Sequence, residues 1–476
     1  MTSATVVGSG PNGLAAALTL ARAGLEVTVL EAAKTPGGGT RSAELTIPGL
    51  IHDHCSGIHP FAVSNAFSQS FDLQVHGLQW AWPEVQYSHP LDGGIGAAVW
   101  KNVETTAHHL GTDSFTWSAI FGPLSRNFPK IADDLLRPIP HPPKHPAKLA
   151  HFGAFAGLPA QVASYLWRTP EAKALFAGVV AHAFRPFNTV GSTAVGLALG
   201  NAAHAFGWPV AVGGSAAISN AMISALESYG GRIETETSIQ SLSDLPESSV
   251  ILFDTSPRAV IKIVGEKLPA PIARSFLRYQ HGPGAFVAHF AVDGGIPWVH
   301  AESRQAGTVH AGGSFQEIAM AEASITRGVM PDKPFVLVMQ QSNADPQRHH
   351  GDIRPIDAYA HVPAGYTGDA TDSIIRQIER FAPGFRDRIV GQTVENVSNI
   401  EHRNANFIHG DIVTGTNSLR QILFRPRIAM NPYRIGVRGM YLCSAATPPG
   451  AGAHGMCGYN AACTVLKDLD TARYLP

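Results

Sequence analysis

Residues 5–31 read TVVGSGPNGLAAALTLARAGLEVTVLE. A β-branched strand runs into three glycines spaced G-x-G-x-x-G, then an Ala/Leu helix, a second strand and an acid. The glycine pattern alone is a weak signal, but this order within one unit is the context that points to a bound dinucleotide. Gly8 permits the tight turn, Gly10 lets the backbone approach a pyrophosphate, and Gly13 lets the helix pack closely on the strand. Free N–H groups at the helix start then face phosphate oxygens. Glu31, closing the second strand, is placed to accept from ribose hydroxyls.

The choice of dinucleotide turns on the next stretch, AAKTPGGGTR at 32–41. Gly37 and Gly38 let a second backbone segment pass close to the pyrophosphate, which suits FAD held extended inside the protein. At the other end, residues 440–463 read MYLCSAATPPGAGAHGMCGYNAAC. A short strand, Met440 to Cys443, enters a Pro/Gly loop, and a helix begins near Gly455 and continues to Leu469. Backbone N–H groups at Met456 and Cys457 would face the charge that a reduced flavin carries at N1 and O2.

These two ends, with GGSAAISNAMISALESYGGRIETETSIQSL at 213–242, resemble the phytoene-dehydrogenase-like, carotenoid-desaturase-type branch of FAD-dependent oxidoreductases. The nearest resemblance is to the pyridine nucleotide-disulphide oxidoreductase domain-containing branch. DTSPRAV at 254–260 and ERFAPGFRDRIV at 379–390 extend it over the chain. The resemblance implies an α/β fold in which a discontinuous Rossmann-like FAD-binding domain carries an inserted α+β substrate domain, as in amine oxidases and phytoene desaturases. It implies noncovalent FAD contacted by Gly8, Gly10, Gly13, Glu31, Gly37, Gly38, Thr40, Arg41, Ile239, Ser444, Met456 and Cys457. One departure stands out: the amine-oxidase relatives carry arginine directly after the Gly doublet, whereas here Gly39 and Thr40 precede Arg41, which would then neutralise phosphate.

The domain plan follows from where the motifs fall. Residues 1–75 start the FAD domain, 205–265 return to it and 430–476 complete it. Residues 76–204 form a helical insertion. Residues 266–429 alternate in strand fashion at GAFVAHFAV (284–292) and FVLVMQQS (335–342), which predicts an antiparallel sheet forming one wall of the substrate cavity. Thirty-five basic against thirty-six acidic residues leave no polyanion footprint, so nucleic acid is excluded as a partner. Four cysteines with no C-x-x-C pair argue against dithiol chemistry, and a buried inert thiol is expected at Cys457 in preference to a flavin thioether. No signal peptide or membrane span is legible, so the expected location is cytoplasmic. The apolar stretch 151–182 is expected to be core-packed helices, with a peripheral membrane contact as the alternative.

Histidines supply the remaining candidates. In HDHCSGIHP (52–60), strand alternation sends His52 and His54 to one face and Asp53 to the other, and no metal is expected. His59 and His454 are the candidate proton-relaying groups beside the flavin. His141 and His145 in RPIPHPPKHP, and His349 and His350, read as loop residues. By resemblance the substrate is a hydrophobic small molecule, isoprenoid or carotenoid-like. It gives hydride to flavin N5 as C=C forms, and oxygen or a quinone reoxidises the flavin. A flavin amine oxidase and a non-catalytic FAD-containing interaction protein are the alternatives.

Overall fold

The computed structural model describes residues 2–138 and 141–472, the side chains of 471 and 472 excepted. Ser3–Val7 and Glu26–Leu30 are strands joined by the helix Pro11–Arg22, which starts at Gly10 with proline in its first turn. Both strands are buried along four of five positions because the sheet is covered on both faces, so they read as apolar runs. Five parallel strands complete the sheet in the order Met440–Leu442, Val250–Phe253, Ser3–Val7, Glu26–Leu30, Arg232–Glu234. Three distant stretches of chain therefore meet in one sheet. The C-terminal helix Met456–Ala472 packs on Pro11–Arg22 so closely that any Cβ at Gly458 would overlap the Asn12 carbonyl oxygen.

The expected α/β class is observed, with a second sheet of seven strands. Its order is Ile389–Glu395, Gly284–Asp293, Ile353–Val362, Val336–Met339, Ala306–Ala311, Val85–Pro90, Gly96–Trp100. Two features differ from the sequence reading. The stretch 76–204 is not wholly helical: it supplies the Val85–Pro90 and Gly96–Trp100 hairpin. Within 266–429 the strands pair antiparallel as expected, but Val85–Pro90 adds a parallel pairing with Ala306–Ala311, so the whole sheet is mixed. All six residues of Val85–Pro90 are buried, although Val85, Gln86, Tyr87 and Ser88 alternate apolar and polar, a short strand signal the sequence reading passed over.

Helices Pro170–Ala181 and Thr193–Ala205 cover this sheet, and the first is buried over nearly its whole length. Core packing thus holds for Pro170–Ala181, whereas Pro146–Ala156 buries only Phe152 and Ala156, and between the two helices Val162 and Tyr165 are exposed. Among the described residues no helix is long and apolar enough to cross a membrane. His141 is exposed, with Nε2 2.7 Å from the Met430 carbonyl, and His145 precedes the helix Pro146–Ala156. Residues 139 and 140 of that loop lie outside the described residues. His349 is half-buried and His350 is exposed.

Candidate nucleotide and substrate site

A cavity of about 1070 Å³ opens at the carboxyl ends of the parallel strands and extends to the seven-stranded sheet. At one end it is lined by Val7, Gly8, Leu30, Glu31 and Asp254; at the other, Thr308, Leu337, Met339 and Tyr359 of the second sheet form a wall. Carboxyl ends of parallel strands are where open α/β sheets bind ligands, because the chain diverges there into different loops.

The glycines make the nucleotide end. Gly8 holds φ at +101°, which only glycine adopts without strain. A Cβ on Gly10 would stand 2.6 Å from Asp254 Oδ2, and one on Gly38 would stand 2.9 Å from the Gly10 Cα. Two backbone segments thus meet with no side chain between them, a cradle that a Cβ would fill and a pyrophosphate can enter. Gly13 does not line the cavity; its N–H donates to Asp254 Oδ2 at 2.9 Å. Burial first, and then the charge of Glu31, push the Asp254 carboxyl up to about 7, against the pull of the Gly13 and Gly10 N–H groups. Sequence reading missed Asp254, although it follows its parallel strand as Glu31 follows the neighbouring one.

Glu31 is buried and already engaged. Its Oε2 accepts from the Ser9 N–H at 3.0 Å and the Ser9 hydroxyl at 2.5 Å, and its Oε1 from the Ala33 N–H at 2.8 Å. Arg41, expected on phosphate, lines the cavity, pairs with Glu31 Oε1 at 3.3 Å and donates to the Thr35 carbonyl at 2.8 Å. Its charge is spent on the acid that orders the turn. Thr40 lines the cavity, its hydroxyl donating to the Gly37 carbonyl at 2.7 Å, whereas Gly37 itself, at φ +112°, stands outside the lining. Ile239 and Ser444 line the cavity as well.

At the C-terminal loop the position differs from expectation by a few residues. Ala451 to His454 face the cavity, but Met456 and Cys457 do not. The Met456 N–H donates to His454 Nδ1 at 3.0 Å, so the helix start is capped from within the chain. The Cys457 sulfur lies 3.4 and 3.3 Å from the carbonyls of Thr447 and Gly450, and burial pushes its thiol up to about 12. A thiol held protonated in this way is not a nucleophile.

His59 and His454 both line the cavity, and burial brings each down to about 4, so both are neutral imidazoles. His59 Nε2 is 2.9 Å from the Ser215 hydroxyl. A third lining imidazole, His182, went unread in the sequence; its Nε2 is 2.9 Å from His310 Nε2, and burial brings it down to about 3.

The alternation read in HDH is present. His52 and His54 both approach the ring of His289, at 5.5 and 6.4 Å between centroids, while the Asp53 carboxylate turns to Arg348 at 2.8 Å. His52, His289 and Asp357 converge, with ligand-type atoms within 4.8 Å of one another. The two Nδ1 atoms sit 2.7 and 2.8 Å from one oxygen of Asp357, at hydrogen-bond distance. Burial alone would raise that carboxyl, yet the two histidines hold it well below the usual range. The cluster does not line the cavity.

A family model described as NAD(P)-binding Rossmann-like domain matches residues 6–73. Over 99 residues the chain is 37% identical to pyridine nucleotide-disulfide oxidoreductase domain-containing protein 2 of Rattus norvegicus, and 36% to that of Mus musculus. That stretch is 21% of this chain and spans only 17% of each relative. Solved structures match over the whole length. A putrescine oxidase bound to putrescine superposes with TM-score 0.63 at 16% identity, covering 98% of this chain and 99% of the other. The chain has the putrescine oxidase fold. An oxidoreductase from Methanosarcina mazei (TM-score 0.64, 13% identity, 98% and 100% covered) shares it. So does cyclohexylamine oxidase from Brevibacterium oxydans (TM-score 0.57, 13% identity, 98% and 99% covered). Within this fold the dinucleotide end is the Rossmann-like unit at residues 6–73, and the second sheet walls the remainder of the cavity.

Proposed function

We propose that the protein is an FAD-dependent oxidoreductase that binds FAD noncovalently and oxidises a hydrophobic small molecule, isoprenoid or carotenoid-like, at a CH–CH bond. The observation that carries this reading is the single cavity running from the glycine cradle at Gly8, Gly10 and Gly38 to the largely apolar wall of Leu337, Met339 and Tyr359. One volume therefore serves both the nucleotide and the molecule presented to it.

FAD would supply a hydride acceptor at N5, and oxygen or a quinone would take the electrons onward. The chain's own residues do the rest. The Gly10–Gly38 approach and the N–H groups of the first helix turn hold the pyrophosphate, while Glu31, fixed by Ser9 and Arg41, orders the ribose side. Phe184, Trp208, Leu199 and Val195 in the lining exclude water and align the reacting carbon. The second proton of a CH–CH oxidation needs an acceptor. His59 and His454 are proposed for that role because both line the cavity and burial keeps both imidazoles neutral at neutral pH; the His454 Nδ1 lone pair is taken by the Met456 N–H, which makes His59 the first choice of the two. The acids in the lining are Glu31, Asp254 and Glu401, two of them at the nucleotide end, which favours a lipophile over an amine cation among the described residues.

Denaturing the purified yellow protein should release FAD; release of a nicotinamide nucleotide without flavin would remove this reading. Anaerobic mixing with isoprenoid, acyl and amine compounds, followed by flavin bleaching, then identifies the reductive half-reaction. Bleaching by amines alone would transfer the assignment to an amine oxidase.

A further inference from the structure

One wall of the cavity holds a cation with no counter-charge. Arg425 is 1% exposed and lines the cavity. Its Nε donates to the Gln421 carbonyl at 3.1 Å, one terminal nitrogen to the Ala445 carbonyl at 3.2 Å, and the other to Asn417 Oδ1 at 3.3 Å. All three acceptors are neutral, and among the described residues no carboxylate forms an ion pair with it. Asp411, whose charge reaches Tyr279 as that of Arg425 does, is already saturated by the N–H groups of Gly282 and Gly415 at 2.9 and 2.7 Å and by His281 at 3.2 Å. Positive charge accumulates here: Arg185 donates to the Asn417 backbone carbonyl at 2.7 Å and also lacks an ion pair among the described residues.

A guanidinium withdrawn from water into a wall of carbonyls is costly unless an anion arrives to meet it. Three of its five N–H donors are used, and the planar fork that remains matches a carboxylate. The same cavity presents Ile412, Val413 and Ile422, so a ligand with an anionic head here has an apolar body. The pyrophosphate is provided for elsewhere, at the Gly10–Gly38 approach.

We propose that Arg425 anchors the carboxylate of a lipophilic acid, which makes the substrate of this cavity an amphiphile and not a neutral polyene. The proposal rests on the oxidoreductase reading above and narrows its substrate class.

Calorimetric titration of the purified holoprotein at low ionic strength with decanoate, decanamide and decylamine tests it. Decanoate is expected to bind at least tenfold more tightly than decanamide, with decylamine weakest. Arg425→Gln should abolish that preference while decanamide affinity stays within twofold, and Arg425→Lys should retain part of it. Equal affinity of wild type for decanoate and decanamide overturns the proposal, and so does a preference that survives in Arg425→Gln. A glutamine variant whose flavin midpoint potential moves while wild type shows no carboxylate preference assigns the cation to the reduced ring instead. Should Arg425→Gln fail to fold, the wild-type comparison and Arg425→Lys still decide. Protein that holds no flavin yet prefers decanoate would sink the oxidoreductase reading and leave the carboxylate anchor standing.

Discussion

Asp254 shows how much one buried carboxyl decides at this site. It touches Gly13, 241 residues away, and no local pattern announces such a pairing, whereas the Gly8, Gly10 and Gly13 spacing was legible because the three glycines fall within six residues between a strand and a helix. Gly10→Ala places a methyl 2.6 Å from Asp254 Oδ2; displacing the carboxylate from the Gly13 N–H should cost roughly 1–3 kcal/mol. The expected outcome is protein with little bound flavin by the ratio of visible to ultraviolet absorbance. Because burial raises the Asp254 pKa above its ordinary 3.8 to about 7, its folded form favours the proton. The resulting stability is complete below about 4 and is lost as pH rises through 7. Asp254→Asn should therefore raise the melting temperature of apoprotein relative to wild type more at pH 8 than at pH 5; an equal shift at both would refute the assignment. Cys457→Ser should keep FAD releasable by acid, since a hydroxyl can donate to the Thr447 or Gly450 carbonyl in place of the thiol. Arg425 was invisible for the same reason as Asp254: its isolation from carboxylates is a property of the assembled wall.

Elements were read best where they are long. The strand at 284–292 was legible and appears as Gly284–Asp293. Val85–Pro90 was not, since its apolar–polar alternation runs only from Val85 to Ser88 before Pro90, too short to stand out from a loop. That Ala451–His454 line the cavity while Met456 and Cys457 do not has a local cause: His454 caps the helix start, and a side chain reaching two residues forward leaves no signature in composition. The packing of Met456–Ala472 on Pro11–Arg22 gives an element-scale prediction. Gly458→Ala gains helix propensity of about 1 kcal/mol but must part the two helices at Asn12, costing roughly 1–3 kcal/mol. Lower thermal stability together with weaker FAD retention is expected, because Asn12 lies in the first turn of Pro11–Arg22 and lines the cavity. Unchanged FAD affinity would show that the helix pair does not set the cradle.

At the scale of the whole molecule, buried imidazoles govern the response to acid. Burial brings His59, His89, His204 and His454 down to about 4 and His182 to about 3, and it carries His310 well below its ordinary value. A histidine lowered from 6.5 in the folded state contributes stability above 6.5 that is lost as pH falls toward 4. Each such group adds about 1.4 kcal/mol per pH unit, so several together should outweigh the opposite slope of Asp254. The melting temperature should fall steeply between pH 6.5 and 4, and a flat profile there would contradict their burial as neutral groups. Sheet order has a further consequence, in biosynthesis. The strand Met440–Leu442 and the helix Met456–Ala472 are translated more than 400 residues after Ser3–Val7, yet they complete the same layer. While the ribosome works through the intervening chain, the face of Pro11–Arg22 that Met456–Ala472 covers stays open, and Val250–Phe253 has an open edge. Native burial of the first thirty residues is thus a late event, cofactor capture follows release of the C-terminal helix, and the nascent chain is exposed to misassociation for most of its synthesis.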